Sequence, residues 1–164
     1  SKYLDKKFTF CNSGFNLRPT EVSSAIALSQ LKKLDKIKSI RSYNYERIKK
    51  VLKEDDKCSK YFEFVEKNKF VSECWLSFPI ILKEKIDKNK FLNKLNNLGV
   101  ESRPIISGDF SQQPALIKYK IKKQKKYKNA DYIHKYGFYI GLYSEKLSNF
   151  DLNNLKNSFR KSLN

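Results

Sequence analysis

Methionine is absent from this chain, histidine and tryptophan occur once each, and cysteine only three times. Cys11, Cys58 and Cys74 are odd in number and far apart, with no CxxC pair, so neither a disulfide framework nor a zinc site is expected. Buried, reduced thiols of a cytoplasmic protein are expected instead. His134 is the sole imidazole and lies in a charged segment without a serine or cysteine motif beside it. A hydrolytic triad therefore has no base, and His134 is expected to be a lone surface side chain. A Walker loop, GxGxxG, HExxH and a carboxylate cluster for a divalent metal are all missing. The longest apolar run, around Trp75 to Leu82, is too short and interrupted to span a bilayer. No secretory apolar segment opens the chain. By itself the sequence holds no self-sufficient active site.

Acid is also scarce. Seventeen Asp and Glu face 35 Lys and Arg, for a net charge of +18. Such an excess fits nucleic acid, anionic lipid or a phosphorylated substrate. Only five of the basic residues are Arg, however, and Asn, Ile, Phe and Tyr are abundant beside the lysines. Those residue types, Lys included, share AT-rich codons, so compositional drift explains the charge at least as well. Readers of nucleic-acid bases favour the arginine fork. Lysines and tyrosines interleaved from Tyr119 to Tyr136 leave a non-specific nucleic-acid-binding module as the rival reading. A non-catalytic remnant domain is a second rival, and no specific nucleic acid and no membrane partner is expected.

The 164 residues suffice for one domain, or one domain with an arm. Thr20 is placed as a helix N-cap with Glu21 in the first turn. Ala25, Ile26, Ala27 and Leu28 make the first turns apolar almost all round, which predicts burial against something large. The stripe then narrows to Leu31, Leu34, Ile37, Tyr45, Ile48 and Leu52, predicting one helix from about Glu21 to about Lys53. Alternation from Phe70 to Leu82 predicts a strand with Cys74, Leu76, Phe78, Ile80 and Leu82 on one face, and an edge or bulge at Pro79. Asp87 caps a helix that buries Phe91, Leu92, Leu95 and Leu98 and ends at Gly99. A short strand at Val100 to Ile105, a basic loop over Lys118 to Lys128, a helical turn or two at Ala130 to Lys135 and a strand at Gly137 to Tyr143 follow. Ser148 and Asp151 form a capping box for a last helix burying Leu152, Leu155 and Phe159. The fold class is α/β: a long first helix, then helices packed on a mostly antiparallel three-stranded sheet. Residues 1–53 form the leading turn and connecting helix, and 54–164 the small α/β unit.

Two loops could meet a ligand. In Gly14-Phe15-Asn16-Leu17-Arg18-Pro19-Thr20-Glu21 the glycine lets the backbone turn ahead of a helix N-terminus. There the amide of Asn16 suits a phosphate, or equally a left-handed turn. Arg18 can clamp a phosphate or carboxylate, or form an ordinary surface ion pair. In Glu101-Ser102-Arg103-Pro104, Arg103 ends a strand beside a proline. Ser107-Gly108 follows, where backbone can approach a ligand closely. Gln112 and Gln113 can read hydroxyls or simply belong to a polar turn around Pro114.

These blocks resemble the DegT/DnrJ/StrS group of pyridoxal-phosphate-dependent sugar aminotransferases. The carriers are Gly14 to Glu21 with Ala25 to Leu31, and Glu101-Ser102-Arg103-Pro104 through Ser107-Gly108-Asp109-Phe110 to Gln113-Pro114. Asn129-Ala130-Asp131 with Gly137-Phe138-Tyr139-Ile140-Gly141 completes them. The second and third blocks resemble a subgroup of lipopolysaccharide-sugar enzymes and 3-dehydratases of nucleotide-linked 4-keto-6-deoxy sugars. The resemblance implies the aspartate aminotransferase fold and pyridoxal 5'-phosphate, its Schiff-base lysine (or the histidine of dehydratases) lying upstream of Ser1. It implies a cytoplasmic homodimer joined through the long helix, with Asn16 reaching the cofactor phosphate of the other subunit. Arg18, Arg103, Ser107, Gly108 and Gln113 would face the sugar nucleotide. Relatives usually carry Asn where Asp109 stands, and a carboxylate near a diphosphate is unfavourable unless it points away.

The charge reading has a direct check. Random duplex DNA at physiological ionic strength is expected to bind only weakly, with binding abolished by added salt in a mobility-shift titration. Salt-resistant retention would favour the rival.

Overall fold

The computed structural model describes residues 6–14, 20–66, 68–71, 73–83, 85–121 and 127–164. Four strands form one antiparallel sheet among these residues: β1 (Phe62–Phe64), β2 (Ser77–Leu82), β3 (Ser102–Pro104) and β4 (Gly137–Gly141), in the order β1-β2-β4-β3. The expected sheet had three strands. β1 escaped notice because Phe62-Glu63-Phe64 is only three residues long and follows a charged stretch.

Helix α1 (Glu21–Leu31) starts where expected, with the Thr20 hydroxyl accepting from the Ser23 amide. It does not continue to Lys53. A turn at Lys32 and Lys33, marked by the Lys33 amide bonding the Gln30 carbonyl at 2.9 Å, separates it from α2 (Leu34–Lys53). The two segments have different fates. On α2 one face is apolar, and Tyr45, Ile48 and Leu52 are buried, while Leu34 is exposed. On α1 nothing is buried: Val22 is 70% exposed and Leu28 66%. The expected burial of Ala25 to Leu28 is not met within this chain.

The core lies between one face of the sheet and three helices. Phe78, Ile80 and Leu82 of β2 and Phe138 and Ile140 of β4 point into it. Tyr45, Ile48 and Leu52 of α2, Phe91 and Leu95 of α4 (Lys88–Asn97), and Leu152 and Phe159 of α7 (Asn149–Ser162) meet them. The Phe159 ring lies edge-on to Phe62 at 5.4 Å and Phe91 at 6.0 Å, and stacks on Phe138 at 6.4 Å. The caps form as read: Asp87 accepts from the Lys90 amide, Gly99 turns with φ 85°, and Ser148 and Asp151 make a reciprocal box. Leu98 does not turn inward; it is exposed beyond the helix end.

Strand β2 begins only at Ser77, so Cys74 and Leu76 fall before it and are exposed. Pro79 occupies an interior strand, yet the ladder tolerates it. The Lys83 amide bonds the Tyr61 carbonyl, and the register pairs Phe62 with Leu82 and Phe64 with Ile80. Alternation points the Pro79 nitrogen the same way, past the end of β1, so no bond to β4 is lost.

Of the three thiols, Cys58 is buried while Cys11 and Cys74 are exposed, which corrects the expectation that all are buried. Burial and the neighbouring Asp55 push the Cys58 thiol up to about 12. Asp55 starts the short α3 (Cys58–Tyr61), accepting from the Lys57 and Cys58 amides and from Arg160 at 2.8 Å.

The aromatic cluster supplies the test of this core. Phe159→Ala is expected to lower stability by about 3–5 kcal/mol in urea denaturation, as a large buried ring is lost from a site with no room to collapse.

Candidate functional site

Arg103 lies on β3 opposite Tyr139 of β4, on the face away from α4 and α7. Its Nε and Nη2 both donate to Glu101 Oε1, at 2.9 and 2.8 Å. That pairing, with Tyr139 beside it, raises the arginine pKa further above its already high value. The side chain is half exposed. It borders an open cleft of about 940 Å³ that Glu101, Tyr139, Tyr143 and Lys146 also line. A cation held by one exposed carboxylate can exchange that partner for a phosphate with little rearrangement.

After Pro104 the chain makes a strained turn. The Ile106 amide bonds the Pro104 carbonyl, the Gly108 amide bonds the Ile105 carbonyl, and Ile106 takes φ 35°. A β-branched residue held there costs on the order of 1–2 kcal/mol, so the surroundings must impose the conformation. The imposing group is visible at Gly108. With φ 53°, a Cβ on it would sit 2.3 Å from His134 Nδ1 and 2.8 Å from the imidazole Cγ. Gly108 is therefore small because a ring lies against it.

His134 is not a surface side chain. It belongs to α6 (Lys128–Tyr136), is 8% exposed and is bonded to the Ser107 backbone. Burial is the main cause holding it below its usual 6.5, with Lys88 next; Asp109, Asp131 and the Ser107 bond pull the other way. The Lys88 ammonium reaches the carbonyls of His134 at 2.8 Å and Gly137 at 3.3 Å, a cation at the C-terminal end of α6.

Asp109 is 4% exposed and turned into its own loop. Its Oδ1 accepts from the Ser111 amide at 3.1 Å and hydroxyl at 2.6 Å, and its Oδ2 from Gln112 Nε2 at 2.9 Å. Gln112 also reaches Asp131 at 3.1 Å, tying the loop to α6. The carboxylate that would repel a diphosphate thus points away from the surface. Gln113 is fully buried at 0% exposure. Its Oε1 accepts from the Phe10 amide at 2.9 Å, and its Nε2 donates to the Phe8 carbonyl at 3.0 Å. Both ends of that amide serve the N-terminal segment, so the contact the structure gives it is internal.

Of the expected site residues, Arg103 lines the cleft, Ser107 and Gly108 follow it in the half-buried turn outside the cleft lining, and Gln113 is buried. Asn16 and Arg18 lie outside the described residues. The internal bonds of Gln113 and His134 carried no local signal, since their partners are remote in sequence, whereas Asp109 bonds Ser111 and Gln112 as the cap of the turn that follows it.

Sheet, covering helices and the loop after β3 together define an aminotransferase-type fold. The Escherichia coli GDP-4-keto-6-deoxy-D-mannose-3-dehydratase with bound hydrated PLP superposes with a TM-score of 0.74 at 28% identity, covering 94% of this chain and 39% of that one. Helicobacter pylori PseC, an aminotransferase involved in pseudoaminic acid biosynthesis, shares the fold with a TM-score of 0.70 at 21% identity, over 92% of this chain and 39% of that one. The chain belongs to the DegT/DnrJ/EryC1/StrS aminotransferase family, matching it over residues 1–159. A GDP-4-keto-6-deoxy-D-mannose 3-dehydratase of Yersinia pseudotuberculosis is 32% identical over 163 residues, 96% of this chain and 39% of that protein. The chain therefore spans well under half the length of such relatives. No helix among the described residues is long and apolar enough to cross a membrane.

Two outcomes follow for the loop. Gly108→Ala is expected to cost on the order of 1–3 kcal/mol in chemical denaturation, because the added carbon overlaps the imidazole. For His134, a base whose folded pKa is depressed takes up its proton first in the unfolded chain, so stability falls as pH drops below 6.5. His134→Asn should flatten the fall in Tm between about pH 7 and about pH 5. An identical pH profile in the variant would refute this assignment.

Proposed function

We propose that this chain is the C-terminal portion of a pyridoxal-phosphate-dependent enzyme that acts on a nucleotide-linked keto sugar, aminating it or removing its 3-hydroxyl, in surface polysaccharide synthesis. The observation that carries the reading is the family match over residues 1–159, joined to close likeness in fold to a GDP-sugar 3-dehydratase. Bound pyridoxal phosphate supplies an electron sink for either reaction. The residues here would hold and orient the substrate. Arg103, loosely held by Glu101 at the cleft edge, offers a fork that fits one diphosphate oxygen pair. The Ser107–Gly108 turn presents backbone beside it. Asn16 would meet the cofactor phosphate and Arg18 the substrate, across a homodimer whose interface includes α1.

Two features of the structure support this. Asp109 is withdrawn from the surface, which removes the repulsion a carboxylate would exert on a diphosphate. The exposed apolar residues of α1 supply a face that a second subunit or the remainder of the enzyme would cover. Helix α1 would then belong to the interface region, while α2, whose Tyr45, Ile48 and Leu52 enter the core, joins residues 54–164 in the small domain of a cytoplasmic enzyme. The net charge of +18 would draw in an anionic nucleotide sugar.

The 164-residue chain alone is expected to show no absorbance of bound pyridoxal phosphate and no turnover. In the complete protein, Arg103→Ala should raise KM for a GDP-linked 4-keto-6-deoxy sugar about tenfold or more, with Arg103→Lys recovering part of the loss. An Arg103→Ala enzyme with unchanged KM would rule out the substrate role given to this residue.

A further inference from the structure

Arg103 enters the open cleft from a strand, but another part of the lining is the segment after β4, where Tyr143, Glu145 and Leu147 meet the same space. Residues 142–148 form neither helix nor strand, and 143–146 are exposed, so nothing in the segment itself fixes its shape. A side chain of α2 fixes it from beneath. Asn44 is fully buried. Its Nδ2 donates to the Tyr143 carbonyl at 3.3 Å and the Glu145 carbonyl at 2.7 Å, and its Oδ1 accepts from the Leu147 amide at 3.0 Å. Both N–H groups and the oxygen of one amide are thus engaged on alternate residues of the segment. Arg47, about one turn further along α2, donates to the Leu147 carbonyl and to Asn149 Oδ1. Arg47 and Lys146 both lie over the Tyr43 ring, at 5.3 and 5.1 Å from its centroid. The segment is therefore braced on α2 along its length.

What the braced segment offers a ligand is an aromatic ring. Tyr143 is 68% exposed in the cleft that Arg103 borders. Register sets Arg103 against Tyr139, and at most about 14 Å of chain separates Tyr139 from Tyr143. The carboxylates of the lining give the cleft a direction. Asp151 is engaged by the Ser148 amide and hydroxyl, and Glu101 by Arg103. Glu145 stands on the Tyr143 side and disfavours a phosphate there. We propose that Tyr143 stacks on the base of a nucleoside diphosphate whose phosphates meet Arg103, and that Asn44 is the positioning residue that holds Tyr143 in place. The proposal rests on the enzyme reading above for the presence of a nucleotide; the bracing rests on the Asn44 bonds. An aromatic face accepts any base, so this contact adds affinity for a nucleotide without choosing among bases.

The test uses the complete protein, with GDP and inorganic pyrophosphate as probes in titration calorimetry. Tyr143→Ala should weaken GDP about tenfold or more and pyrophosphate by less than about twofold, while Tyr143→Phe binds GDP as the wild type does. Arg103→Ala should weaken both probes. Asn44→Ala should reproduce the selective loss of GDP, and should raise the nucleotide-sugar KM more than it lowers kcat. Where that variant fails to fold, Arg47→Ala, at a half-exposed side chain, releases only the Leu147 end and should weaken GDP about threefold with pyrophosphate unchanged. Unchanged GDP affinity in whichever of these variants folds overturns the positioning role. In the wild type, GDP should slow amide exchange over 142–147 and leave α5 (Pro114–Lys118), which lies outside the cleft lining, as it was. No slowing over 142–147 overturns the proposal, as does equal loss of GDP and pyrophosphate in Tyr143→Ala. A protein that never takes up pyridoxal phosphate refutes the enzyme reading instead. Selective GDP loss in Tyr143→Ala then still supports the stacking, and a wild type that binds no GDP overturns it.

Discussion

A primary amide sealed from water needs both an acceptor for its N–H groups and a donor for its oxygen inside the protein. The amide of Gln113 finds them on the backbone of Phe8 and Phe10. Much of the geometry around the candidate site follows from that demand. It lays the N-terminal segment along the turn at Phe110–Gln112, where Phe10 meets Phe110 and Ser13 meets Tyr119. It also fixes one end of the loop whose other end leaves β3 after Pro104. Between those ends, Asp109 and Gln112 close the loop on itself and on α6, and the chain is pressed into left-handed geometry at Ile106 and Gly108.

What could be read in advance was local. Thr20, Asp87, Gly99 and the Ser148–Asp151 pair each act within a few residues of themselves, and all four sit at the helix ends where the sequence puts them. Strand β4 and the inward faces of α2, α4 and α7 follow from spacing in the same way. The interruption between α1 and α2 has neither glycine nor proline to announce it. The turn at Lys32 and Lys33 is written in residues that would serve equally well in mid-helix. Leu98 and Leu76 carry the correct residue type but sit one step beyond the elements that would have turned them inward.

The chemistry-bearing residues divide along the same line. For Gly108 and Gln113 the structure shows a histidine ring and a distant backbone as neighbours. Neither contact is legible in the sequence, because the partner is a hundred residues away, or on another element, and no spacing rule reaches it. His134 is the converse. A single histidine in a lysine-rich stretch reads as a surface residue, and only packing against a glycine reveals that it is buried, with its pKa lowered chiefly by that burial. Asp109 is accommodated because its loop supplies three donors to it.

The junction of α6 and β4 contains no loop. Tyr136 is the last helical residue and Gly137 the first of the strand, and a Cβ at Gly137 would lie 2.5 Å from the Ile133 carbonyl oxygen and 2.8 Å from the Ile105 side chain. Inserting even one residue there would rotate α6 by about 100° about its axis and carry His134 off Gly108. The exposed stretch 143–146 is held in length by another sealed amide: buried Asn44 donates to the Tyr143 and Glu145 carbonyls at 3.3 and 2.7 Å, so added residues there would break those bonds.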